Sequence, residues 1–198
     1  LYTLRRLDLP GPAAATGMRI LHISDLHLAP WDGDRGRWVA GLAALEPDLV
    51  IASGDFLAHR DSIQHLKRAL DPLLPLPGVF VLGSNDYYAP RLKNPFSYLG
   101  SNSRRVHGAP LPTDELRTLL TSGGWLDLDN ARGSLTVGGV TIEFRGTGDA
   151  HIDLDDYAAV AGPWQPQSQL RLTVTHAPYS RVISAAAADE PDLIFAGH

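Results

Sequence analysis

Carboxylate and imidazole side chains recur at five places along the chain, each directly after a short apolar run. The five groups are Asp25-Leu-His27, Gly54-Asp55, Gly83-Ser84-Asn85-Asp86, His176 and Gly197-His198. Carboxylates and imidazoles without thiolates suit manganese, iron, zinc or nickel better than copper(I) or calcium. The five groups therefore predict metal-ligand chemistry.

The spacing of the groups predicts that they meet. Asp25 and Asp55 are 30 residues apart, as are Asp55 and Asn85, and this is the length of one strand–helix–strand unit. Such units bring the carboxyl ends of their strands to one edge of a sheet. Asp25 and His27 leave an extended chain on the same side and can hold one ion together.

The number of candidate ligands predicts two ions. One ion needs about three or four protein ligands, and a carboxylate such as Asp55 can bridge a pair of ions. The candidates are Asp25, His27, Asp55, Asn85, His176 and His198.

Apolar periodicity predicts the elements that position these residues. We expect strands at 18–24, 48–52, 79–82, 170–175 and 193–196. We expect helices at 35–45, from a Ser62 cap through Leu70, from Thr113 to Gly123, and around 182–186. Alternation on both sides of Gly138-Gly139 predicts an antiparallel hairpin, and the Pro- and Gly-rich stretch 87–112 predicts a long surface loop.

Composition excludes several classes of protein. The 198 residues are 44% hydrophobic and 20% charged, with no cysteine, which excludes disulfide scaffolds, thiolate metal sites and a cysteine nucleophile. A net charge of −5 gives no basic field, so no nucleic-acid partner is expected. We expect a single domain over 1–198, truncated at both ends, since it lacks an initial Met and stops directly after a strand-like run.

The motif order resembles the signature of the calcineurin-like metallophosphoesterase family, which reads Asp-x-His, Gly-Asp, Gly-Asn-His-Asp, His, Gly-His-x-His. The match spans 18–198, and the segment 23–28 with Tyr87-Tyr88 is most similar to bacterial membrane-associated or exported members. The resemblance implies an α/β fold, a two-sheet αββα sandwich of the metallophosphoesterase type. It also implies hydrolysis of a small phosphodiester or monoester by a water that two manganese, iron or zinc ions activate. A membrane tether would lie outside this chain, in a bacterial cytoplasm or at its membrane.

By position, the resemblance implies two ligand sets that share one carboxylate. Asp25, His27 and Asp55 would hold one ion. Asp55, the third-motif residue, His176 and His198 would hold the other.

The third motif departs from the family pattern, because Ser84 stands at the Asn ligand and Asn85 at the catalytic His. Either the loop shifts by one residue and Asn85 coordinates, or the second ion is weakly held. The alternative to an enzyme is a degenerate domain that binds metal without turnover.

Two further positions in this region are candidates for contact with substrate. Ser84 and His59 are interpreted as substrate-binding residues, and Asn85 and His151 as catalytic ones. Because asparagine cannot give up a proton, we expect the rate to depend steeply on leaving-group pKa, unless a loop histidine such as His151 or His107 supplies the proton.

Overall fold

The computed structural model describes residues 2–90 and 108–198. The elements of these residues, in chain order, are β1 (Ile20–Ile23), α1 (Gly33–Gly41), β2 (Leu49–Ala52), α2 (Ile63–Leu70), β3 (Gly78–Phe80), α3 (Ser84–Tyr87), α4 (Thr113–Ser122), β4 (Leu126–Asp127), β5 (Arg132–Val137), β6 (Val140–Gly146), β7 (Leu170–Thr175), α5 (Ser180–Ala188) and β8 (Leu193–Ala196). His107 and most of the predicted loop 87–112 lie outside the described residues.

The strands form two four-stranded sheets. The first sheet has the order β1-β2-β3-β4 and is parallel throughout. The second has the order β5-β6-β7-β8, with β5 and β6 antiparallel and the other pairs parallel. Parallel sheets are normally covered on both faces, and each sheet here is covered by the other sheet on one side and by helices on the other.

Two apolar layers hold the sandwich together. Between the sheets pack Leu49, Ile51, Val79 and Val81 of the first sheet with Ile142, Phe144, Leu172 and Val174 of the second. Outside the first sheet, Val39 of α1, Leu66 of α2 and Leu120 of α4 cover Val50 and Phe80. Helix α5 covers the second sheet through Val182 and Ala186. The expected two-sheet α/β sandwich is confirmed.

Most predicted elements are present, and the differences are local. The hairpin turn is confirmed, with Gly138 at φ 56° and Gly139 at φ 85°, the left-handed pair that a tight two-residue turn requires. The predicted cap of α2 is wrong, because the Ser62 hydroxyl makes no capping hydrogen bond. Strand β4 was not predicted from the sequence, because a segment of two residues cannot show an alternating pattern. None of the described helices has the length and apolar character that crossing a membrane needs.

Candidate metal centre

Both sheets deliver their functional residues at the carboxyl ends of strands. Asp25 follows β1, Asp55 follows β2, His176 follows β7 and His198 follows β8. The loops join across the sandwich, since the His198 backbone N–H donates to a carboxylate oxygen of Asp25 at 2.9 Å. Residues that follow four strands of the two sheets therefore lie close together.

Two overlapping groups of side chains are close enough to share a cation. Asp25, His27 and Asp55 form the first group, and Asp25, His176 and His198 form the second. Within each group the ligand atoms lie within 4.8 Å of one another. Asp25 belongs to both groups. Its position in the sequence does not indicate that it could contact two ions.

Asp55 lies between the two histidines of the centre. Its Oδ2 is 3.5 Å from Nε2 of His27 and 3.5 Å from Nε2 of His176. Burial alone would raise the pKa of the Asp55 carboxyl, but the adjacent His176 imidazole and two hydrogen bonds from Asn85 outweigh it and lower the pKa to about 2. The carboxylate is thus ionised at every physiological pH, which is the form in which a carboxylate binds a cation.

His176 has the surroundings of a metal ligand. The residue is fully buried, and its Nδ1 lies 2.7 Å from the carbonyl oxygen of Ser53, which fixes the ring. Its Nε2 makes no hydrogen bond to the part of the chain that the structure describes. An imidazole whose second nitrogen binds a backbone carbonyl is the usual arrangement of a metal-bound histidine. The donor set of carboxylates and an imidazole nitrogen without a hydrogen bond therefore fits a divalent cation of the manganese, iron or zinc type.

Four candidate ligands have a left-handed backbone, with φ values of 55° for Asp25, 40° for His27, 58° for Asp55 and 72° for His198. Non-glycine residues in this region cost about 1–3 kcal/mol each and persist where the surrounding structure holds them. Such strain concentrates at functional sites. Here the strained residues belong to the loops that follow β1, β2 and β8, and their side chains lie close together.

Asp86 holds the strained Gly54-Asp55 loop. Its buried carboxylate accepts hydrogen bonds from the backbone N–H groups of Asp55 at 2.8 Å, Phe56 at 2.7 Å, Leu57 at 3.1 Å and Gly83 at 3.0 Å. The last residue of the third motif thus ties the second and third ligand loops together, and it does so through the backbone rather than through an ion.

Arg35 holds the other loop and was not found from the sequence. Its Nη1 donates to the carbonyl oxygens of Leu26 and His27, both at 2.8 Å. Those carbonyls flank the left-handed His27. Nothing in the pattern of α1 distinguishes Arg35 from the neighbouring polar residues of that helix.

Glycine is required where the loops approach one another. A Cβ on Gly83 would lie 2.7 Å from Nε2 of His176, inside the ligand cluster. Gly54 has a φ of 95°, and a Cβ there would lie 2.5 Å from the backbone nitrogen of Gly83. The two glycines keep the centre open for a cation.

In the third motif it is Asn85, rather than Ser84, that contacts the buried carboxylate. The Asn85 side chain donates to Oδ2 of Asp55 at 2.7 Å, and its backbone N–H donates to Oδ1 at 2.8 Å. Ser84 begins α3, and its carbonyl accepts from the Tyr88 backbone at 3.0 Å. Of the two residues, Asn85 is the one that contacts Asp55.

The loop histidines lie at different distances from the ligands. The ring of His151 is 5.2 Å from the ring of His198, and its Nδ1 is 3.3 Å from the hydroxyl of Tyr179. His59 belongs to neither ligand group and packs against Trp31 at the tip of its loop, with ring centroids 5.4 Å apart. Sequence spacing gives no indication of Tyr179 or Trp31.

A two-sheet α/β sandwich with carboxylates and imidazoles at its strand ends is the architecture of a metal-binding hydrolase. The chain belongs to the calcineurin-like phosphoesterase family, whose model matches residues 18–198. No curated protein is significantly similar to the chain in sequence. Among solved structures, the chain is similar to phosphopantetheinyl hydrolase (PptH) from Mycobacterium tuberculosis, with 13% identity, a TM-score of 0.41, and 81% of this chain and 68% of that chain covered.

Proposed function

We propose that the protein hydrolyses small phosphoesters with a centre of two metal ions. The observation that carries the proposal is the buried carboxylate of Asp55, which lies 3.5 Å from imidazoles on either side. The proposed ligands are Asp25, His27, Asp55, Asn85, His176 and His198. Because Asp25 lies in both ligand groups, it is a second carboxylate able to contact both ions.

The metal ions would polarise the phosphoryl oxygens, offset the charge that develops on them and make water a better nucleophile at neutral pH. Asp55 supplies the permanent negative charge between the two sites. Asn85 orients that carboxylate with two hydrogen bonds. In this proposal the amide acts by hydrogen bonding and does not transfer a proton.

We propose that His151 donates a proton to the leaving oxygen. It is the histidine beside His198 at the edge of the centre, and the Tyr179 hydroxyl lies 3.3 Å from its Nδ1. Its backbone is fixed as well, since the N–H donates to the buried Asp149 at 2.8 Å. A positioned imidazole contributes about 10²–10⁴-fold to such a step.

The substrate is proposed to be a small phosphodiester or monoester that enters past Ser84 and His59. A net charge of −5 opposes binding to a nucleic-acid backbone, so no nucleic-acid partner is proposed. The similarity of the first strand to membrane-associated bacterial members stays a prediction.

Elemental analysis combined with a phosphatase assay tests the function. The purified protein should contain close to two transition-metal ions per chain, and it should hydrolyse bis(4-nitrophenyl) phosphate or 4-nitrophenyl phosphate only when metal is present. Hydrolysis that survives complete removal of metal would contradict the proposal. Comparison of the diester with the monoester assigns the substrate class.

The substitution of the third motif supports a second candidate function. With Ser84 and Asn85 in place of the family's Asn and His, the domain would retain metal for stability or binding without turnover. Metal content near two ions with no hydrolysis of either ester would favour this alternative.

A further inference from the structure

The chain that follows β6 forms a closed loop over 148–156, and the two ends of this loop meet at one side chain. The side-chain oxygen of Asn130 accepts hydrogen bonds from the backbone N–H of Gly148 at 2.9 Å and from that of Asp156 at 2.8 Å. The Asn130 amide nitrogen donates to the carbonyl oxygen of Leu154 at 2.8 Å. These three hydrogen bonds form the neck of the 148–156 loop.

The residue that closes the neck does not belong to the loop. Asn130 lies between β4 of the first sheet and β5 of the second. Its backbone is left-handed, with a φ of 50°, a conformation in which asparagine is enriched over most other residues. The connection between the two sheets therefore presents the amide to the 148–156 loop.

The neck requires glycine at its first position. A Cβ on Gly148 would lie 2.5 Å from the carbonyl oxygen of Leu154 and 3.2 Å from the amide nitrogen of Asn130. The first of these distances is shorter than any ordinary carbon–oxygen contact. Glycine therefore allows the two ends of the loop to approach Asn130 together.

The interior of the loop orders the backbone of His151. The N–H of His151 donates to the buried Asp149 carboxylate at 2.8 Å, and the N–H of Leu154 donates to the Asp149 carbonyl oxygen at 3.0 Å. On the outer side, Arg181 of α5 pairs with Asp155. None of these three interactions joins the two ends of the loop, so its closure depends on Asn130.

We propose that Asn130 is the positioning residue of His151, because it closes the neck of the 148–156 loop and thereby holds the imidazole beside His198. This inference rests on the proposed function, in which His151 gives a proton to the oxygen that leaves as the P–O bond breaks. A misplacement of about 1 Å can cost about 10²-fold in rate. Asn130 acts through the loop and makes no contact with the substrate in this proposal.

Two substitutions open the neck in different ways. Asn130→Gly removes all three hydrogen bonds and causes no backbone strain, because glycine populates positive φ readily. Gly148→Ala retains the amide but forces a Cβ against the carbonyl oxygen of Leu154. Glu46→Gly is the matched control, since Glu46 has the same φ of 50° and its side chain is 79% exposed.

The first measurement is amide hydrogen exchange by NMR with zinc present, which reports local opening and needs no hydrolytic activity. It follows the amides of Gly148 and Asp156, which donate to Asn130, and those of His151 and Leu154, which donate within the loop. In Asn130→Gly all four should exchange at least about 10-fold faster, the factor that the loss of three hydrogen bonds provides. Gly148→Ala should accelerate the other three.

The amides of β2 report unfolding of the whole domain and should keep their native rates in both variants. Glu46→Gly should exchange like the native protein. Native exchange of the His151 amide in Asn130→Gly, even with faster exchange of Gly148 and Asp156, would overturn the inference. Acceleration that extends to β2 would overturn it too, because the effect would then be one of unfolding.

The second measurement is the ratio of alkyl to aryl phosphodiester rates, which reports proton donation and does not depend on the amount of folded protein. Both variants that open the neck should lower this ratio by about 10- to 100-fold. Glu46→Gly should keep the native ratio. A native ratio in Asn130→Gly, together with fast exchange of the His151 amide, would refute the positioning role.

The two measurements separate this inference from the proposed function. If no ester is hydrolysed but Asn130→Gly accelerates exchange of the His151 amide, the neck holds the histidine and the hydrolytic function fails. If His151→Ala lowers the ratio and Asn130→Gly does not, the function stands and the role of Asn130 is refuted.

Discussion

At the scale of single residues, Asp55 concentrates the chemistry of the site. It is buried, ionised and adjacent to a histidine from each sheet. The residues around it fall into two kinds. Some offer an atom to a cation, as His27 and His176 do, whereas Asp86 holds the backbone of Asp55 by a hydrogen bond. Asn85 is of both kinds, because it is a proposed ligand and also donates to the Asp55 carboxylate.

Asp55→Asn should abolish phosphoester hydrolysis and lower metal content more than any other single substitution. The change preserves shape but removes the charge that both ions would share. Metal content by elemental analysis and activity on the aryl esters measure the effect. Asp34→Asn, on a side chain that is 83% exposed, is the control and should behave like the native protein. Full metal content and full activity in Asp55→Asn would refute the site.

The dependence of the hydrolysis rate on leaving-group pKa identifies the proton donor. If His151 protonates the departing oxygen, the rate of the native protein should depend only weakly on leaving-group pKa across aryl and alkyl phosphodiesters. His151→Ala should slow alkyl esters by about 10²–10⁴-fold and leave good leaving groups almost unaffected. Tyr179→Phe, which removes the hydroxyl beside Nδ1, should have a smaller effect of the same kind.

A steep dependence already in the native protein would contradict the role of His151. In that case Asn85→His should restore proton transfer and flatten the dependence. The ratio of alkyl to aryl rates is the measured quantity, so a general loss of folded protein does not imitate either result.

At the scale of elements, the helices outside the first sheet determine the shape of the ligand loops. Helix α1 covers the sheet with Val39 and at the same time directs Arg35 to the carbonyls of Leu26 and His27. The apolar periodicity of α1 predicts its buried face from sequence. It cannot predict Arg35, because a hydrogen bond to a loop carbonyl leaves no periodic signal.

Arg35→Met should weaken metal binding by about 10- to 100-fold while the fold is retained. The loss of a residue that positions a ligand has this typical cost, and methionine retains the length and helix propensity of the side chain. Arg37→Met is a matched control, since Arg37 lies on the same helix and, among the residues that the structure describes, pairs with the exposed Asp34. Metal titration by calorimetry and circular dichroism provide the two readouts. Equal metal affinity in the two variants would show that Arg35 does not position the loop.

At the scale of the whole molecule, the sequence predicts where the strands lie better than it predicts which strands share a sheet. The regular spacing of the first three groups predicts a parallel βαβαβ unit, and that unit is present. The antiparallel hairpin at 138–139 is likewise local and was found. The division of the eight described strands into two sheets depends on packing between residues far apart in sequence, such as Ile51 and Phe144 in the apolar layer between the sheets, and no local pattern encodes it. The resemblance to a family provided it instead.

The same division makes the metal centre a link between the sheets. Asp25, His27 and Asp55 follow strands of the first sheet, whereas His176 and His198 follow strands of the second. A cation bound by both sets would exist only in the folded sandwich, so its binding free energy adds to the free energy of unfolding.

Removal of metal should therefore lower the melting temperature of the whole domain. At a free metal concentration 100 times the dissociation constant, binding one ion stabilises the fold by about 2.7 kcal/mol, and for a domain of this size each kcal/mol corresponds to about 2–4 °C. We expect a decrease of roughly 5–10 °C for each ion when a chelator is added, measured by calorimetry as a single transition. Asp55→Asn should melt at the same temperature with and without chelator, because its sites no longer bind. A native protein that melts at one temperature in both conditions would show that the ions do not connect the sheets, and a chelator response retained in Asp55→Asn would place the stabilising ion elsewhere.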